Sequence, residues 1–157
     1  MTDARFEDGA DDPLRLAAQD SEGLTILSAL LQDAVFVSQD MRFDRKRRRF
    51  AVLVNRFRWE DAARAKTERR GVERVRAMLV LDGVMSAKTL GFDPTMPATL
   101  ALLEIVFDAG NDGAGKVMLK MSGDASILLE VEALGVTLND VTRPYLAPSG
   151  KVPDHGL

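Results

Sequence analysis

The run Gly110-Asn-Asp-Gly-Ala-Gly-Lys116 has the spacing of a phosphate-binding loop: glycine, four residues, glycine, lysine. Such a loop cradles phosphate on backbone amides because a helix starts directly after it, and a serine or threonine hydroxyl then holds magnesium. Here the next residue is Val117, which has no hydroxyl. Val117, Leu119 and Met121 alternate with Lys120 and Ser122, so a strand leaves the loop where a helix is required. The expectation is a glycine-rich hairpin turn, with glycines supplying positive φ.

The second chemical feature is basic. Residues 42–76 hold fourteen Lys/Arg against five Asp/Glu, a surplus of nine, while the rest of the chain carries seven against nineteen. The formal net charge of -3 conceals this division. Arg45, Lys46, Arg47, Arg48 and Arg49 cluster at a hairpin tip, and Arg56, Arg58 and Trp59 follow on the outgoing strand. These eight residues are the candidate partner-binding set. Guanidinium groups interleaved with rings can pair with phosphates and stack on bases, which makes nucleic acid one reading. Screening over about 8 Å at physiological salt means that a ligand meets the local surplus more than the net charge. Against it, Arg49-Phe-Ala-Val-Leu-Val54 lacks the glycine and spaced aromatics of an RNA-recognition signature, and parity puts Phe50 and Trp59 on opposite strand faces. A protein or acidic-ligand contact, self-association included, is the second reading. The third is an edge strand that arginines keep from aggregating.

Other chemistries fail on residue counts. There is no cysteine, so thiolate metal sites and thiol nucleophiles are excluded, and the single histidine, His155 near the C-terminus, argues against imidazole zinc chemistry and a Ser-His-Asp triad. Asn111-Asp112 runs into Gly113, Ala114 and Gly115 without the oxygen ligands of a calcium loop. Glu130 and Glu132 share a strand face, as solvated carboxylates do. No catalytic, cofactor-binding or metal residue is assigned, and no cofactor is expected. A small-molecule enzyme would show itself by a pocket lined by Glu104, Glu130 or Asn55.

Elements must position these groups. With 157 residues, 46% of them hydrophobic, the chain can bury a core without disulfides or metals. Leu24, Leu27, Leu30, Leu31 and Ala34 make one helical stripe, predicting a helix over 20–33 capped by Asp20. A short strand at 14–18 precedes it. Alternation then dominates: Val35 to Phe43, Phe50 to Val54, Val75 to Leu81, Val84 to Leu90, Leu100 to Phe107, Val117 to Met121 and Ile127 to Ala133. Residues 134–141 fit strand or short helix equally, and 60–71 read as a long loop or a solvated helical turn. The fold class expected is α+β: one N-terminal amphipathic helix packed on a curved, mainly antiparallel sheet of six to seven strands. Residues 14–146 form the single domain, between an acidic, disordered tail at 1–13 and a flexible one at 147–157. The acidic start lacks a signal-peptide pattern, and no stretch approaches the ~20 apolar residues of a membrane span. A cytoplasmic protein that avoids membranes is the expectation.

Three segments, Asp20-Ser-Glu-Gly-Leu24 leading to Ser28-Ala-Leu-Leu-Gln-Asp-Ala34, Arg49-Phe to Asn55-Arg-Phe-Arg-Trp-Glu60, and Ile127-Leu-Leu-Glu-Val-Glu132, resemble an uncharacterised alphaproteobacterial domain-of-unknown-function family of small single-domain proteins. The resemblance runs from about Leu14 to Tyr145. It implies a stand-alone bacterial protein and brings no activity, cofactor or site residue. The functional expectation is therefore a non-enzymatic interaction or regulatory domain that uses an arginine-rich hairpin, with nucleic-acid binding by the same hairpin as the alternative.

Overall fold

A computed structural model describes residues 13–146; most of the expected N-terminal tail, the C-terminal tail and His155 lie outside the described residues. Strand β1 (Arg15–Ala18) leads into helix α1 (Ser21–Leu30), where Asp20 Oδ1 accepts the Gly23 N–H at 2.7 Å, the predicted cap. The apolar stripe continues through Leu31 and Ala34, both fully buried, yet the helix stops before 33. Asp33 adopts a left-handed backbone (φ 66°) and its N–H donates to the Leu102 carbonyl at 2.7 Å, while Leu102 N–H donates to the Ala34 carbonyl at 2.7 Å. This exchange docks the helix end on a strand and turns the chain into β2 (Val35–Val37).

The predicted hairpin follows as β3 (Met41–Asp44) and β4 (Arg49–Phe57), after a single 3-10 turn at Ser38–Asp40. A second 3-10 turn, Trp59–Asp61, runs into a short helix α2 (Ala62–Thr67), so part of 60–71 is helical and Ala65 is buried. Strands β5 (Arg74–Asp82), β6 (Val84–Leu90), β7 (Thr99–Ala109), β8 (Gly115–Met121), β9 (Ser126–Val131) and β10 (Val136–Asp140) complete the order. The ambiguous 134–141 segment is thus a strand over most of its length.

This corrects the expected α+β architecture. Strand accounts for 49% and helix for 16%, with ten antiparallel strands and two short helices, so the protein is mostly β. The expected count of six to seven strands is low for physical reasons. The reading of 35–43 as one alternating strand merges β2 and β3, which a 3-10 turn separates, and β10 lies within 134–141, which reads equally as helix. Helix α1, at ten residues, covers β7 and β1 and forms no full layer.

Strand order is β1-β10-β5-β4-β2-β7-β8-β9-β6, with β3 beside β4. Two devices fold this path into facing sheets. Strand β7 pairs β2 through its first three residues and β8 through the rest, with an irregular register between Leu102 and Glu104. Strand β5 passes into β6 through Gly83 alone, at φ +74°, a backbone conformation that disfavours a side chain. Between the sheets lie Phe50, Val52 and Val54 of β4, Leu79 and Leu81 of β5, Val117 and Leu119 of β8, and Ile127 and Leu129 of β9. Leu24, Leu27 and Leu31 close one flank of this core.

Candidate functional site

The basic residues separate into two groups, and strand parity does the sorting. The inward positions of β4 run Phe50, Val52, Val54 and then Arg56; those of β10 run Val136, Leu138 and then Asp140. Arg56 is completely buried. Its Nε and Nη2 each donate at 3.0 Å to the two oxygens of Asp140, whose side chain is 3% exposed. Nη1 and Nη2 donate to Glu60 at 2.9 and 2.7 Å, and Nη1 also donates to the Phe57 carbonyl at 3.1 Å. All five guanidinium N–H donors are therefore engaged. Burial works against the charged form, but the hydrogen bonds and charges of Glu60 and Asp140 outweigh it and raise the Arg56 pKa further.

Arg58 is buried as well, with Nη1 2.6 Å from Glu73 Oε1 and 3.6 Å from Asp61 Oδ2. Asp61 accepts from Arg70 Nη2 at 2.7 Å, and Arg70 Nε reaches Glu68 at 3.1 Å. Trp59 donates its ring N–H to the Gln32 carbonyl at 2.9 Å and stacks obliquely on Phe57, centroids 5.2 Å apart. The Arg74 guanidinium covers the Phe57 ring at 4.7 Å. Asp61, Glu73 and Asp140 are the residues that sequence reasoning missed. The parity of Arg56 with Val54 and its spacing of four from Glu60 were the available signals; Asp140 had none while its segment lacked an assigned period.

The hairpin tip differs. Asp44 Oδ1 accepts the Arg47 N–H at 3.1 Å and closes the turn, with Arg48 in the left-handed region at φ 52°. Arg48 Nη1 meets Glu132 Oε2 at 2.9 Å, and Arg49 Nε meets Asp82 Oδ1 at 2.7 Å. The hydrogen bond that Arg49 donates to Asp82, with that carboxylate's charge, raises the Arg49 pKa. Arg48 and Arg49 thus bind the tip to the Gly83 corner, where Val84 N–H also donates to the Arg48 carbonyl at 2.8 Å. Arg42, Arg45 and Lys46 are exposed and make no ion pair among the described residues, and Arg47 approaches Asp44 only at 3.8 Å with its side chain 75% exposed. Of the eight candidates, Arg45, Lys46, Arg47, Arg48 and Arg49 stand together at the tip; Arg56, Arg58 and Trp59 belong to an interior cluster at the other end of β4.

The remaining candidates do not converge. Gly110–Lys116 is a hairpin loop from β7 into β8 with Asp112 and Gly113 at positive φ, and no helix follows it. Glu104, Glu130 and Asn55 line three separate surface depressions. Glu130 and Glu132 are exposed, the latter paired with Arg48. No group of three or more His, Asp or Glu among the described residues is placed to hold a metal ion, and no helix there is long and apolar enough to cross a membrane.

No curated protein and no solved structure matches the chain. A family described as "Protein of unknown function (DUF2948)" matches residues 14–155, which include β1 to β10, the hairpin tip and the buried arginine cluster. The chain belongs to the DUF2948 family.

Proposed function

We propose that the domain is a non-enzymatic interaction module whose contact surface is the β3–β4 tip, and that its partner is an acidic protein surface, a second copy of the chain included. The observation carrying this reading is the exposure of Arg42, Arg45 and Lys46, which form no ion pair among the described residues, and of Arg47, 3.8 Å from Asp44, on a turn that Arg48 and Arg49 hold in place. Exposed cations on a fixed turn raise the encounter rate with an acidic partner and set its orientation. The depressions lined by Glu104, Glu130 and Asn55 bring no nucleophile, base and oxyanion donors together, which supports an interaction role over catalysis. Nucleic acid is the weaker reading, because Arg56 and Arg58 are enclosed and Trp59 turns to Gln32, which leaves the half-buried Phe43 as the ring beside Arg42, Arg45 and Lys46.

The test is anisotropy of fluorescein-labelled poly-L-glutamate, with a labelled thymidine oligonucleotide as the second probe. Binding to poly-glutamate at about 0.01 M salt that is lost near 1 M, as the Debye length falls from about 30 to about 3 Å, is the expected result. Tighter binding of the oligonucleotide moves the assignment to nucleic acid, and no binding of either probe at low salt overturns it. Light scattering at both salts checks the second copy: a monomer of unchanged mass removes self-association.

A further inference from the structure

Among the described residues, strand β7 past Ala101 has an edge that no strand covers. In its ladder with β8 the Gly110 N–H donates to the Ala114 carbonyl at 2.7 Å, and the register runs Asp108 to Lys116, Val106 to Met118 and Glu104 to Lys120. Antiparallel pairing alternates, so the even-numbered residues bond to β8 and the odd-numbered ones turn N–H and C=O the other way. Ile105 shows this directly: its N–H donates to Ser28 Oγ of α1 at 2.9 Å. Strand β2 meets β7 only at residues 99–101. Past Ser28 the backbone groups of Phe107 therefore face a groove of about 530 Å³ between α1 and β7, and those of Ala109 turn to the same side of the strand beyond it.

The groove has the chemistry of a strand site. Leu24 and Phe107 give it apolar walls, and Thr25 and Ser28 add hydroxyls. Glu104 is the charged residue lining it, and Asp108 follows on the same strand face; Lys120 and Lys116 stand opposite them on β8, with no ion pair formed among the described residues. Leu103 and Ile26, nearby on β7 and α1, are 45% and 57% exposed. An unpaired strand edge beside a helix, with the Glu104 carboxylate in the groove, accepts an extended backbone, with alternate side chains fitted to the groove. The geometry points to a peptide-binding site in which a partner protein adds an extended segment to the β7 edge, apolar at alternate positions and carrying lysine or arginine between them. This site is separate from the hairpin tip and does not depend on the reading given to it.

The experiment uses the full ¹⁵N-labelled chain and three probes: acetyl-Lys-Val-Lys-Val-Lys-Val-amide, its analogue N-methylated at every valine, and its analogue N-methylated at every lysine. All three keep the same charge, but one analogue has lost the N–H groups that would face β7. The parent is expected to bind with a dissociation constant of about 1 mM or tighter, shifting and protecting the Phe107 and Ala109 amides. One methylated analogue is expected to bind at least about tenfold more weakly than the other, since its missing donors leave strand carbonyls unpaired. The Ala109→Pro chain removes an outward N–H without touching a β8 bond and is expected to weaken the parent peptide while keeping the spectrum of the fold. Equal binding of both analogues, shifts confined to other surfaces, or no shift at about 2 mM peptide overturns the proposal.

Discussion

Arg56 and Asp140 meet across the inner face of the first sheet, from β4 and β10 on either side of β5, through paired 3.0 Å hydrogen bonds. Arg56 stands opposite Val75 and Asp140 opposite Ala77 on the intervening strand. Asp140 Oδ2 also accepts the Leu14 N–H at 2.9 Å, so one carboxylate joins the start of the domain to the end of its last strand. With Glu60 as a second carboxylate, the guanidinium is fully solvated by the protein in place of water.

Removing the cation strands both carboxylates. Arg56→Met is expected to cost about 3–5 kcal/mol in urea unfolding, followed by the fluorescence of the single tryptophan, Trp59. Arg56→Lys is expected to recover only a minor part, because an ammonium cannot form two bidentate forks. A loss below about 1 kcal/mol for the methionine variant would show that the cluster does not hold the fold.

Glu60 makes part of this stability dependent on acid. Burial pushes its carboxyl up, but the hydrogen bonds and charge of Arg56 outweigh burial and hold it below the usual carboxylate range. A pKa lowered on folding gives stability that is complete above the unfolded value, about 4.3, and disappears as pH falls through the folded value. The urea midpoint is expected to decline below about pH 4.3, and Glu60→Gln is expected to flatten that decline. An identical acid slope in the parent and the glutamine variant would contradict the coupling.

How much of this was legible in the sequence depends on element length. The α1 cap at Asp20, the β3–β4 hairpin and the non-phosphate turn at Gly110–Lys116 follow from local pattern, and all three stand in the structure. Arg56 and Arg58 were read by residue type as surface cations, whereas alternation from Phe50 through Val54 already assigned Arg56 to the core face. Glu73 and Asp140 lie 15 and 84 residues from their arginines, so only tertiary pairing brings them together. The two-sheet arrangement turns on the single residue Gly83 and on one irregularity in β7; each shifts the buried positions by one, from Leu81 to Val84 and from Leu102 to Ile105, and so local a step does not show which strands it brings face to face.

The glycine-rich loop is read as turn chemistry, and two substitutions test that reading. A Cβ on Gly115 would run into the Asp108 carbonyl oxygen and lie 2.6 Å from the Phe107 ring, so Gly115→Ala is expected to destabilise by about 1–3 kcal/mol. Lys116 is exposed, and Lys116→Ala is expected to stay within about 0.5 kcal/mol of the parent and to leave nucleotide binding undetectable in both. A tenfold fall in nucleotide affinity on Lys116→Ala would restore the phosphate reading.

Arg56 and Arg58 are buried and paired within the fold, while Arg45, Lys46 and Arg47 stand exposed at the hairpin tip, where we place the partner contact. The most direct measurement is the poly-glutamate affinity of the Arg45→Gln, Lys46→Gln, Arg47→Gln chain, taken with its unfolding free energy. The account predicts stability within about 0.5 kcal/mol of the parent and affinity reduced about tenfold or more at low salt. A variant that keeps the parent affinity, or that loses stability as Arg56→Met does, contradicts it.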